Sequence, residues 1–337
     1  MKLSVLDQSV ACAGRDEGHA LRDTVDLAVH CEALGYERFW VSEHHAMPTI
    51  VGSAPEVLMA AIAARTSRIR VGSAGVMLPH YAALKVAEQF CVLGALAPGR
   101  IDLGVGRAPG GDMRTAMALN PNAAQAADQF PQQVQDLQAW TSGRRHGGIT
   151  AHPLPADGVA PPEIWILGSS DYGAQLAAHL GLPYAFAYFF MDGQGVEQAL
   201  DLYRSNYRAS TRHPQPQATI CVWALAADSE DEARRQALGR ERWRLDRQRG
   251  VLGPLQAPDA IARQGFTADE QQHVDALRRK SLVGTAEQVS AGMRALALQL
   301  GLDELVVNTW AHDPAVRRRS YTLLAEAFSL PQKAKPL

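Results

Sequence analysis

The chain has 337 residues, 47% of them hydrophobic, and a formal net charge of −2. That apolar content fills one large core or two ordinary ones, and so small a charge offers no bulk attraction to nucleic acid or a membrane surface. Four scattered cysteines, Cys12, Cys31, Cys91 and Cys221, lack C-x-x-C spacing and argue against a disulfide framework or a cysteine zinc site.

In chain order, short β-rich runs alternate with longer helical patterns. The candidate strands are Leu3–Asp7, Phe39–Ser42, Ile69–Met77, Ile101–Gly106, Ile164–Gly168, Tyr184–Phe189, Thr219–Ala226 and Glu304–Thr309. Most are near-continuous apolar runs, as suits parallel strands covered on both faces. Helical patterns occupy Ala20–Leu34, Pro55–Arg65, Leu84–Leu96, Gly173–Leu180, Ser229–Arg249, Ala286–Leu300 and Pro314–Ala327, several of them closed by a glycine. Eight strands with intervening helices predict a single eight-stranded parallel β/α barrel, a TIM barrel of one domain over residues 1–337. The charged stretch Gly250–Ser281 interrupts the spacing between the seventh and eighth strands. It reads as an insertion, either a lid or a solvated excursion. Asp7 breaks the N-terminal apolar run before a signal-peptide core forms. No run approaches the about 18 apolar residues of a membrane span, so a cytoplasmic protein is expected.

Chemistry in such a barrel gathers where strands end. The second strand runs out into Glu43-His44-His45. In an extended segment Glu43 and His45 fall on one side and His44 on the other. Metal ligands from one strand face would ask for His-x-His, so the adjacent histidines argue against a metal. The third strand ends through Ser73-Ala74-Gly75, the fourth in Gly104-Val105-Gly106-Arg107, and the fifth in Gly168-Ser169-Ser170-Asp171-Tyr172-Gly173, which opens a helix. A guanidinium, hydroxyls and a helix N-terminus suit an anion such as phosphate. Neither glycine cluster is specific alone. The first misses the dinucleotide fingerprint, and Gly-Lys-Ser/Thr is absent.

Several motifs together resemble the bacterial luciferase-like monooxygenases. They are Ser42-Glu43-His44-His45, Gly52-Ser53-Ala54-Pro55-Glu56, Arg68 through Ser73, Leu84 through Phe90, Pro98-Gly99-Arg100 through Gly110, Leu167 through Ser170, Leu182 through Ala187 and Val283-Gly284-Thr285. The resemblance spans nearly the whole chain. It implies a barrel enzyme that uses reduced FMN and O2 to oxygenate a small organic substrate through a flavin C4a-(hydro)peroxide. It also implies a homodimer, and reduced flavin drawn from a separate reductase. Carried over, His44 is the catalytic acid/base and Glu43 a flavin-proximal carboxylate. Ser73 and Ala74-Gly75 form the ring platform, with the Ala74–Gly75 peptide expected to be cis. Arg107, Gly168, Ser169, Ser170 and Gly173 hold the phosphate, and Met113 joins the cofactor contacts. Two alternatives stay open: a deazaflavin (F420)-dependent hydride-transfer oxidoreductase, and a non-catalytic flavin-binding protein.

Overall fold

The computed structural model describes residues 1–107 and 111–331, so the Ala108-Pro109-Gly110 part of the Arg107 motif lies outside the described residues. Its strands are β1 (Lys2–Asp7), β2 (Arg38–Val41), β3 (Arg70–Ser73), β4 (Val76–Met77), β5 (Ile101–Gly106), β6 (Glu163–Gly168), β7 (Tyr184–Phe186), β8 (Ala218–Ala227), β9 (Leu282–Thr285) and β10 (Glu304–Asn308). They follow the order β10–β1–β2–β3–β5–β6–β7–β8–β9, with β4 beside β5 and a further pairing of β10 with β8. Leaving out the short β4 and β9, eight parallel strands close a ring with helices between them, the expected barrel.

The chain divides into two compact units. The first comprises Met1–Glu37, Met47–Val51 and the chain from Cys221 onward. β1 and β10 pair in register, Leu3 opposite Leu305 and Val5 opposite Val307. The buried Asp7 carboxylate accepts from Arg317 at 2.8 Å and from the Thr24 hydroxyl at 2.6 Å. The Gly250–Ser281 stretch is no structureless loop. It holds helices Pro258–Gln264 and Ala268–Arg278 and leads into β9, which runs parallel to β8. Thr267 and Glu270 cap the second helix reciprocally. Glu270 accepts from Arg242 (3.0 Å) and Arg249 (2.7 Å), and Arg278 forks onto Glu241 with both bonds at 2.8 Å. The insertion is therefore ion-paired along the helix Glu230–Gln248.

The second unit, Arg38–Ala46 and Gly52–Ile220, contains β2 through β7. At the N-terminal ends of its strands Arg38 donates to Asp102 (2.9 Å) and Glu163 (3.1 Å), while Arg70 Nε donates to Asp102 (2.9 Å). The indoles of Trp40 and Trp165 donate to Asp102 and Glu163, and the two rings meet edge to face.

Three local expectations are corrected. The run Ile69–Met77 is two strands, because β3 stops at Ser73 and β4 resumes at Val76 after a cis peptide. The run Tyr184–Phe189 ends as a strand at Phe186 and tightens into a 3-10 turn, Tyr188–Phe190; apolarity alone does not separate those two states. Helices Met113–Leu119, Phe130–Thr141 and Val196–Ser205, and strand β9, lie where no element was expected.

Candidate active site

The second unit brings the expected residues to the C-terminal ends of its strands. Beyond Val41 the chain leaves β2, and the His44 amide donates to Gly52 O at 2.9 Å. Glu43 is 1% exposed. A buried carboxyl group needs hydrogen-bond partners for both oxygens, and Glu43 has them. Met77 N–H donates to Oε2 at 3.2 Å, Tyr81 Oη donates to Oε1 at 2.7 Å, and His45 Nε2 lies 2.7 Å from Oε1. His44 does not join them; its Nδ1 lies 3.3 Å from Ser42 Oγ. The two imidazoles are thus held by different partners, His45 by Glu43 and His44 beside Ser42, in a segment that has already left β2.

At the end of β3 the Ala74–Gly75 peptide is cis. A Cβ on Gly75 would stand 2.4 Å from Leu167 Cδ1 and 2.9 Å from the Gly104 carbonyl, and a Cβ on Gly104 only 2.1 Å from Ser73 O. Only glycines let this backbone pass so close to β5. The buried Ser73 hydroxyl donates to Gly104 O at 2.9 Å, so its side chain ties β3 to β5.

At the ends of β5 and β6 the exposed Arg107 guanidinium lies over the Tyr172 ring, its Cζ 3.9 Å from the ring centroid. Such stacking holds the cation in place and leaves the guanidinium edge to bind an anion. Tyr172 stands in the first turn of helix Asp171–Leu180, whose N-cap Ser170 makes no side-chain capping bond. Ser169 and Ser170 are both exposed. Asp171, the acidic residue of that turn, accepts from Gln198. Gly168 and Gly173 pack together, a Cβ on either lying 3.7 Å from the other's Cα. A Cβ on Gly106 would meet nothing within 4 Å. A stacked arginine edge, two exposed hydroxyls and an uncapped helix N-terminus form a donor set that suits a phosphate monoester. Met113 opens the helix Met113–Leu119 and is 55% exposed, outside the hydrogen bonds of the Glu43 cluster. Gly111 returns toward that cluster, a Cβ there lying 3.5 Å from His45 O. Among the described residues no group of three or more His, Cys, Asp or Glu is placed to hold a metal. Nor is any helix among them long and apolar enough to cross a membrane.

Sequence reasoning missed Tyr81 and Tyr172. Tyr81 follows the 3-10 turn Leu78–His80, which is pinned by Gln133 Nε2 donating to Tyr81 O at 3.1 Å and by Asn120 Nδ2 donating to Pro79 O at 2.8 Å. Those donors come from helices far along the chain, so no local spacing announces the tyrosine. Tyr172 lies inside the quoted strand-five run, but only the fold sets it beneath Arg107.

The family described as luciferase-like monooxygenase matches residues 1–304. The chain belongs to this family. It is 42% identical over 335 residues to the Bacillus subtilis uncharacterized protein YwcH, covering 98% of this chain and 99% of that one. It is 40% identical over 320 residues to the Escherichia coli K12 luciferase-like monooxygenase, covering 95% of each. The crystal structure of apo-MsnO8 superposes with a TM-score of 0.91 at 36% identity, covering 98% of this chain and 99% of that one. Two further neighbours share the fold alone. One is the oxygenating constituent of 3,6-diketocamphane monooxygenase from Pseudomonas putida in complex with FMN, with a TM-score of 0.74, 20% identity and 97% of each chain covered. The other is an F420-dependent secondary alcohol dehydrogenase, with a TM-score of 0.70, 14% identity and 97% and 98% covered.

Proposed function

We propose that this luciferase-like monooxygenase family member uses reduced FMN and O2 to oxygenate a small organic substrate. The observation that supports this most is the gathering of the buried Glu43, His44, the Ala74–Gly75 peptide and the Arg107–Tyr172 stack at the strand ends of one unit. Bound there, reduced flavin would supply the oxygen-activating chemistry, and the protein would position it and exclude water. Arg107, Ser169, Ser170 and the amides opening helix Asp171–Leu180 would hold the phosphate, with Gly168 and Gly173 allowing close approach. Ser73, Ala74 and Gly75 would support the ring, and Met113 would border the cofactor. His44 would accept and return a proton at its imidazole, a side chain that can serve as either acid or base. A separate reductase supplies the reduced flavin in this reading, since the chain carries no dinucleotide fingerprint. A homodimer in the cytoplasm belongs to the same reading.

Anaerobic titration with reduced FMN and with reduced F420, followed by admission of O2, tests it. The expected result is preferential binding of reduced FMN, and an oxygen reaction of the bound flavin with a time course unlike that of free flavin. Tight and exclusive binding of F420 would replace the reading by hydride transfer. FMN binding without any effect on the oxygen reaction would leave a non-catalytic flavin-binding protein.

A further inference from the structure

His45 has no task in the proposed reaction, yet its ring is held inside the Glu43 cluster. Its Nε2 lies 2.7 Å from Glu43 Oε1 and 3.3 Å from Tyr81 Oη, and Tyr81 Oη is itself 2.7 Å from the same carboxylate oxygen. Two groups therefore share one carboxylate oxygen and touch each other, closing a triangle, while Met77 N–H occupies the other oxygen. We propose that Tyr81 is a positioning residue that sets the protonation of the Glu43–His45 pair, and with it the pH range in which the site is competent. This rests on the proposed monooxygenase reading for its consequence, though not for its geometry.

The argument is one of donor supply. Glu43 is buried and acceptor-only, so its charge is shared between the Tyr81 hydroxyl and the imidazole. Burial, and then the Glu43 charge, hold the Tyr81 phenol above its ordinary value, so the hydroxyl acts as a fixed neutral donor. Among the described residues, three titratable neighbours of the triangle are His80, Glu56 and His44. The His80 ring stands edge-on to both His45 and Tyr81, at 6.1 and 6.2 Å between centroids, and Glu56 adds its field at Tyr81. His44 adjoins the pair along the chain with its Nδ1 toward Ser42. Removing the phenolic donor leaves the carboxylate's charge to His45 alone. Protonated imidazole is then better stabilised, and the carboxyl group itself is easier to protonate.

The first test needs no cofactor. The His45 imidazole is followed by NMR titration in the ligand-free protein, its signal assigned by its loss in His45→Gln. In Tyr81→Phe the His45 transition is expected to move to higher pH by about one unit, a tenfold change in the protonation equilibrium. If it stays within about 0.2 units of wild type, the inference is wrong, whatever the enzyme does. Should Tyr81→Phe fold poorly, Glu43→Gln gives the same check from the other side. Loss of the carboxylate's charge is expected to lower the His45 transition, and an unmoved transition would again overturn the coupling. The second test uses reduced FMN and O2. The acid limb of the rate profile is expected to shift upward in Tyr81→Phe with FMN affinity within about two-fold. A shifted NMR transition in a protein that never turns over reduced FMN would leave the triangle standing and remove the monooxygenase reading.

Discussion

Charge is buried in opposite ways at the two ends of the strands that build the second unit. At the N-terminal ends, Arg38 faces Arg70 in register and Asp102 faces Glu163, two like-charged neighbours that would repel in isolation. Crossed pairing cancels them. Two guanidiniums meet two carboxylates, and the indole N–H groups of Trp40 and Trp165 take remaining acceptor positions. At the C-terminal ends a single carboxylate, Glu43, is held by an amide, a phenol and an imidazole, with no guanidinium among these partners. Arginine keeps its proton throughout the physiological range, whereas histidine changes charge within it. The first arrangement fixes its charge and serves the scaffold. The second contains an imidazole in place of a guanidinium and lies where chemistry would occur. Buried charge paired with arginine marks support, and buried charge paired with histidine and tyrosine marks a site.

The sharpest way to break this comparison is to remove one group from each end. His44→Ala is expected to slow the reduced-FMN-dependent oxygenation step by about 10²–10⁴-fold while the denaturation midpoint stays put, the usual effect of losing a general acid/base. Wild-type turnover in that variant would remove His44 from the mechanism. Asp102→Ala should do the reverse. It leaves the buried Arg38 guanidinium to Glu163 alone and takes an acceptor from the half-buried Arg70 and from the Trp40 indole, and breaking a buried pair from one side costs about 3–5 kcal/mol. Urea unfolding would show the loss, with rate per folded molecule unchanged. A shift below about 1 kcal/mol would mean the cluster is no support at all.

Much of this was legible in the chain, and the gaps have a physical cause. The eight principal strands could be read because parallel strands covered on both faces need long apolar runs, and such runs are local. Glu43, His44 and Arg107 could be read because they follow those runs directly. The partners that give them their character could not. Tyr81 reaches Glu43 across 38 residues and Tyr172 reaches Arg107 across two strand ends. The charge lattice joins Arg38 to Glu163 over a separation of 125 residues. Periodicity reports which face a residue shares with its near neighbours, and says nothing of partners supplied by the next strand of a barrel. The break between β3 and β4 was hidden for the same reason. Gly75 is a glycine because of Gly104 and Leu167, which lie on other strands.

A smaller effect probes the open end of the site. Arg107→Ala is expected to weaken FMN binding by about 10- to 100-fold, the worth of a hydrogen bond to a charged group, and to leave riboflavin binding unchanged. Equal losses for both ligands would place Arg107 against the ring instead of the phosphate. Unchanged affinity for both would move the anion site elsewhere.

The smallest effect extends the comparison to the insertion in the first unit, where a compensated cluster can be titrated. Hydrogen bonds from Arg242 first, then from the Thr267 amide and Arg249, lower the Glu270 carboxyl from 4.5 to about 2. A carboxyl depressed in the folded state contributes stability that is fully present above the unfolded value and disappears as pH falls through the folded one. The window therefore runs from about pH 4.5 down to about 2. Hydrogen exchange of the helix Ala268–Arg278, corrected for intrinsic rates, is expected to stay as protected as the helix Ala286–Leu300 down to the top of that window. Below it the first helix should lose protection ahead of the second. Parallel loss in both would mean that the Glu270 ion pairs do not hold the insertion down. Glu270→Gln should reproduce the acid behaviour at neutral pH, because an amide keeps the shape of the side chain but not the charge that Arg242 and Arg249 converge upon.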